Sequence, residues 1–153
     1  PVKAFFSKAN LTQLLKLGTL PAVPEEPVTQ GTAWPFETRF DIPVVGELCI
    51  NGRCAFQGRA KRGGATCVVV PVNGKLELMS SAKASLMGLK DARGELSGFV
   101  WFDPVLGWAR ESVTTYDVIA MLGGIASASD GSERYVPLKQ TMKVTLLRAE
   151  RVK

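Results

Sequence analysis

Apolar and polar residues alternate with a period of two through much of the chain beyond residue 36. Phe36, Thr38, Phe40 and Ile42 alternate with Glu37, Arg39 and Asp41, which predicts a half-buried strand ending at Pro43. Glu47–Phe56 carries Asn51-Gly52 inside it, a strong hairpin signal, and predicts two short strands around a tight turn. Ala65–Val72 is a β-branched run that reads as a buried strand, with Pro71 placing its far end at an edge or a bulge. Asn73-Gly74 then predicts a turn, and Lys75–Met79 alternates again. Leu96–Phe102 reads as an aromatic strand stopped by Asp103-Pro104, with Trp108 in the loop that follows. Ser112–Leu122 is a further strand, residues 123–132 a long loop or bulged edge, and Thr141–Val152 a last, loosely alternating element. Residues 80–96 stay ambiguous, because Ser81–Leu89 has helix-compatible composition interrupted by Gly88 and Gly94. The core expected from this pattern is Phe40, Ile42, Val68, Val70, Phe99, Trp101, Ile119, Val144 and Leu146.

The N-terminal segment differs. Within residues 1–20, Asn10 caps a short helix carrying Leu11, Leu14, Leu15 and Leu17, and Gly18 stops it. Barely two turns long, such a helix must dock on something, either its own core or a neighbouring subunit. Pro21, Pro24, Pro27 and Pro35 make residues 21–35 an extended linker. Residues 36–153 then form one domain. Seven or eight strands with turn signals every 8–15 residues predict an all-β fold, an antiparallel sandwich or barrel, of which the β-sandwich with a short N-terminal helix is the expectation.

Composition narrows the chemistry. At 153 residues, 46% apolar and 22% charged, the chain is globular in type and long enough to bury a core without a staple. It has no histidine, so no imidazole base, no Ser-His or Cys-His pair and no His metal ligand exist. Cys49, Cys54 and Cys67 are odd in number and lack zinc spacing, and they read as reduced, packed thiols in a reducing compartment. Neither an apolar run of membrane-spanning length nor a secretion signal is visible, and Pro1 fits either removal of an initiator Met or cleavage from a longer chain. Glu25-Glu26 lies in the Pro-rich stretch, where a carboxyl is not desolvated enough to serve as a general acid. Gly63-Gly64 and Gly123-Gly124 match no phosphate-loop pattern and read as turns. These observations predict no catalytic residues, no metal and no cofactor.

Charge offers one anomaly. The net charge is +5, and residues 1–75 hold nine Lys/Arg against five Asp/Glu, which is +4 of it. Arg53, Arg59, Lys61 and Arg62 fall within ten residues, and no acid occurs from Asn51 to Lys75. The cluster reads as a basic glycine loop, open to three uses: phosphate contact with RNA or DNA, a charged subunit interface, or a solvated hairpin. Trp34, Trp101 and Trp108 lie on separate segments, which points to core or interface packing more than to an aromatic sugar platform.

Three stretches carry a resemblance: the Pro-rich lead-in ending Trp34-Pro35-Phe36-Glu37, the aromatic strand Gly94–Phe102 with its Trp-bearing loop, and the closing Tyr116–Leu122 and Lys143–Val152 pair. In order of elements, residues 34–152 resemble the jelly-roll coat proteins of small positive-strand RNA plant and picorna-like viruses. The chain has no long Arg-rich arm of the kind many of them carry. The resemblance implies a non-enzymatic, jelly-roll capsid subunit that self-assembles into an icosahedral shell around the genome. It also implies partners among copies of itself or related coat subunits and viral RNA, no membrane partner, and residence in the virion and the host cytoplasm during assembly. The alternative is a nucleic-acid-binding β-domain, a viral accessory or RNA-binding module using Arg53, Arg59, Lys61 and Arg62. A sugar-binding or enzymatic β-scaffold is the third possibility.

Overall fold

The structure, a computed structural model, describes residues 24–42, 46–80, 89–123 and 134–146. Seven strands form one antiparallel sheet: β1 (Ala33–Ile42), β2 (Gly46–Ala55), β3 (Gly58–Arg62), β4 (Ala65–Ser80), β5 (Leu89–Asp103), β6 (Trp108–Leu122) and β7 (Arg134–Thr145). Their order is β1-β2-β4-β5-β6-β7, with β3 pairing beside β2 on the same edge of β4. The chain therefore meanders, each long strand turning back on its predecessor. The all-β, antiparallel expectation is met. The described strands make a single sheet, and the second layer of a sandwich is not among them. The N-terminal helix expected in residues 1–20 lies outside the described residues, as do residues 81–88.

The even-numbered face of β1, β2, β4 and β5 is the buried one. Trp34, Phe40, Ile50, Cys54, Val70, Val72, Leu76, Leu96 and Val100 pack there as one cluster, extended by Leu78, Ala92 and Ala120. Two of the residues expected in the core, Phe40 and Val70, belong to it, and Val68 packs against it. Phe99 and Ile119 do not: they are 44% and 47% exposed on the opposite face, where Trp101 is half-buried. Val144 and Leu146 are half-buried, and the side chain of Ile42 lies outside the description.

The boundaries also correct the expected turns. β2 runs straight through Asn51-Gly52 and β4 straight through Asn73-Gly74. The two dipeptides face each other across the sheet, with Gly52 opposite Gly74. A Cβ on Gly74 would lie 2.9 Å from the Asn51 carbonyl oxygen, so glycine here permits close approach of two backbones rather than reversal. Strand β1 begins at Ala33 and so takes in Trp34 and Pro35, which were expected in the linker. Proline is tolerated because β1 pairs with β2 alone among the described residues. Trp108 opens β6 instead of sitting in a loop, and β7 starts at Arg134, earlier than the Thr141 expected.

Two bulges shape the end of the sheet that matters below. Cys54 faces Val72 and Gly58 faces Val69, so Ala55, Phe56 and Gln57 stand against only Val70 and Pro71. Pro71, with no N–H to give, does fall at a bulge. The extra residue reverses the alternation, and Ala60 and Arg62 share the outer face with Cys67 and Ala65. On β6, Glu111 faces Trp101 and Ala109 faces Phe102, which leaves Arg110 as the extra residue.

Candidate nucleic-acid interface

The four cations singled out from sequence are placed on strands, not on a loop. Arg53 lies on β2, and Arg59, Lys61 and Arg62 on β3; all four are exposed. The turn between β3 and β4 is only Gly63-Gly64, both at positive φ. The bulge divides the cations. Arg62 lies over the outer face, its guanidinium carbon 4.3 Å from the centre of the Trp101 ring. Arg59 and Lys61 face Val68 and Thr66 across the ladder, on the alternate positions. Arg53 stands apart, in a trough of the outer face of mixed charge, with Lys75, Lys139, Glu95 and Asp117.

Their ion pairing differs as well. Arg39 is engaged by Glu37 at 2.7 Å and Glu47 at 3.2 Å, and Lys139 by Asp117 at 3.3 Å. Arg62 and Lys143 share Glu111, at 3.7 and 3.4 Å. Arg53, Arg59 and Lys61 have no ion-pair partner among the described residues. Unpaired exposed cations are the groups that an incoming phosphate meets at least cost.

Sequence reasoning missed the aromatic part of this face. Pairing of β4 with both β3 and β5 brings Phe99 and Trp101 to the flank of the basic strand. Their rings are 6.2 Å apart and tilted by 36°. With Val69 and residues 57–60 they line a shallow groove of about 450 Å³. A signal was present. Asp91, Arg93, Glu95 and Ser97 are all polar at odd positions, while Ala92, Leu96 and Val100 are apolar at even ones. Carrying that parity forward puts Phe99 and Trp101 outside.

No family model matches the chain, and no curated protein or solved structure matches it. The site is therefore read from its own chemistry. Half-exposed Phe99 on the sheet offers a flat π face, the Arg62 guanidinium covers the half-buried Trp101 beside it, and guanidinium groups offer phosphate contacts. Stacking on such faces is worth about 1–3 kcal/mol per base and tolerates any base.

Among the described residues no three His, Cys, Asp or Glu side chains gather to hold a metal ion. The three cysteines are buried and unbonded. Cys49 and Cys54, five residues apart, are on opposite faces of β2, and Cys67 lies under the outer face beside Arg62 and Ala65. Burial pushes the Cys54 thiol up to about 12. Burial, followed by the Asp103 charge, also raises Cys67, so neither is poised as a nucleophile.

Proposed function

We propose that the protein is a non-enzymatic β-sheet module that holds single-stranded nucleic acid across the outer face of its sheet. Phe99 is the base-stacking surface. Arg62, on the same face, meets the phosphates beside it and Arg53 the strand further along, while Arg59 and Lys61, on the alternate positions of β3, receive the strand where it passes over the sheet edge. The observation that carries this reading is half-exposed Phe99 against Trp101 on the outer face, with the Arg62 guanidinium from β3, two strands over, lying on the Trp101 ring. Arg62 already stacked on Trp101 extends the platform as a cationic plane.

Anisotropy of a labelled single-stranded oligonucleotide, titrated at several salt concentrations, tests it. Phe99→Ala should weaken binding about tenfold and leave the salt slope unchanged, since only stacking is lost. Replacing Arg59 and Lys61 by Ser should flatten the slope by about 1.4, at about 0.7 per neutralised phosphate. Equal affinity of Phe99→Ala and the parent would remove the platform. No binding even at low salt would remove the function.

The coat-subunit reading rests on the resemblance, and one structural observation favours it. Among the described residues β7 pairs only with β6 and β1 only with β2, so each offers a free strand side to another copy. Self-assembly, and with it a two-layer jelly-roll arrangement, is a separate proposal. Sedimentation decides the first, because a strictly monomeric protein at every concentration and ionic strength is no shell subunit.

A further inference from the structure

The β5–β6 hairpin ends in Asp103-Pro104-Val105-Leu106-Gly107-Trp108, and this tip is apolar, exposed and tightly held. Val105 is 82%, Trp108 55% and Leu106 39% exposed. Beneath them Asp103 is 2% exposed and fully engaged. Its Oδ1 accepts from the N–H groups of Val105 at 2.9 Å and Leu106 at 3.2 Å, and its Oδ2 accepts from Arg110 Nε at 2.8 Å. The Asp103 carbonyl accepts from Gly107 N–H, and Gly107 supplies the positive φ that closes the turn. Scattered exposed apolar residues are ordinary, but three together on a tip locked by a buried charge are a preformed contact.

The charges around the tip supply the second half of the argument. The β3–β4 turn reaches the same end of the sheet: a Cβ on Gly63 would lie 3.8 Å from Arg110 Cδ. Within residues 58–69, 99–115 and 140–146 the only carboxylates are Asp103 and Glu111. Their side chains are 3% and 15% exposed, and both are held in ion pairs. The cations Arg59, Lys61, Arg62 and Lys143 are exposed. Outward charge on these segments is therefore of one sign, and it shares this end of the sheet with an apolar tip that carries an indole. An indole and aliphatic groups at headgroup depth, with cations against the phosphate layer, is the chemistry of an interfacial membrane anchor.

We propose that this end of the sheet docks on the surface of a bilayer containing anionic lipid, with Val105, Leu106 and Trp108 entering the headgroup region. The sequence pointed to no membrane partner because it contains no apolar span; a docking tip needs none. The proposal is independent of the Phe99 platform, which uses different side chains for stacking.

Co-sedimentation of the full chain with phosphatidylcholine vesicles, with and without phosphatidylserine, tests it. The protein should pellet with the phosphatidylserine vesicles, and its Trp emission should shift to the blue, a shift that Trp108→Phe abolishes. A Val105→Ser, Leu106→Ser, Trp108→Ser variant, checked for β-structure by circular dichroism, should partition at least about tenfold less. It should keep its oligonucleotide affinity, which separates this idea from the nucleic-acid reading. Failure to pellet with phosphatidylserine vesicles, or undiminished pelleting of the triple variant, would overturn the proposal. So would a fall in sedimenting mass of the triple variant without lipid, which would make the tip a contact between copies.

Discussion

Phe36 stands directly across from Gly52, and its ring fills the space that a side chain at residue 52 would need. A Cβ there would fall 2.7 Å from the ring and closer still to the Asn73 carbonyl oxygen. The ring has room to give; the backbone oxygen, held in the β2–β4 ladder, has far less.

Gly52→Ala should therefore destabilise the fold by about 1–3 kcal/mol, the usual cost of overpacking. The denaturant midpoint should fall without a change in slope. An unchanged midpoint would mean that β2 and β4 do not approach as closely at Gly52 and Gly74 as described.

The two faces of the sheet give a paired prediction. Leu96 is 5% exposed within the main cluster, so Leu96→Ala should cost about 2–5 kcal/mol. Ile119 is 47% exposed on the outer face, and Ile119→Ala should cost less than about 1 kcal/mol. The reverse ranking in urea unfolding would exchange the inner and outer faces of β5 and β6, because a shift of one residue moves every side chain across the sheet.

Those residues also show how far the sequence could be read. Period-two alternation identified β1 and the Lys75–Met79 part of β4, and β-branched or aromatic runs marked the rest of β4, β5 and β6, since both are local properties of a sheet. Which parity faces inward is a tertiary property. Taking Leu96–Phe102 as a whole strand hid the polar run Asp91, Arg93, Glu95 and Ser97 that fixes the parity of β5. Asn51-Gly52 and Asn73-Gly74 carry real turn propensity, yet both are overridden by pairing along two long strands. The clustering of basic residues was legible in the sequence, but it read as a loop where the structure has strand β3. Its aromatic neighbours come from β5, two strands over and about 40 residues on, a juxtaposition that only strand order creates.

Acid should loosen the tip through Asp103. The hydrogen bond from Arg110 holds its carboxyl below the ordinary range, helped by the N–H groups of Leu106 and Val105, while burial opposes. A folded pKa below the unfolded value of about 3.9 gives stability that is present above that pH and lost as pH falls through the folded value. Asp103→Asn, close in shape but uncharged, should lower stability at neutral pH and show a shallower loss below about pH 4. Thermal midpoints measured down the acid limb check this. A limb as steep in the variant as in the parent would assign acid sensitivity to other carboxyls.

Alkali should act on the opposite side of the sheet. Burial pushes Cys54 and Tyr116 each up to about 12; Cys54 lies within the main cluster and Tyr116 packs against it. Both are neutral when protonated, so folded values above the unfolded ones, about 8.5 for the thiol and about 10 for the phenol, make the native state hold more protons in between. Their contribution is complete below about pH 8.5 and is lost as pH rises toward 12. Urea midpoints should thus begin to decline above about pH 8.5. In Cys54→Ala the neutral-pH midpoint should drop through the small cavity left behind. The alkaline decline should then be shallower between about pH 8.5 and 10, because Cys67, also raised by burial, and the phenol remain to titrate. The slope, not the absolute midpoint, is the diagnostic reading, since it separates loss of the thiol proton from loss of packing. A variant whose decline is as steep as the parent's would show that Cys54 is not the group that titrates. The buried wall of β2 would then have to admit water more readily than its 1% exposure at Cys54 implies.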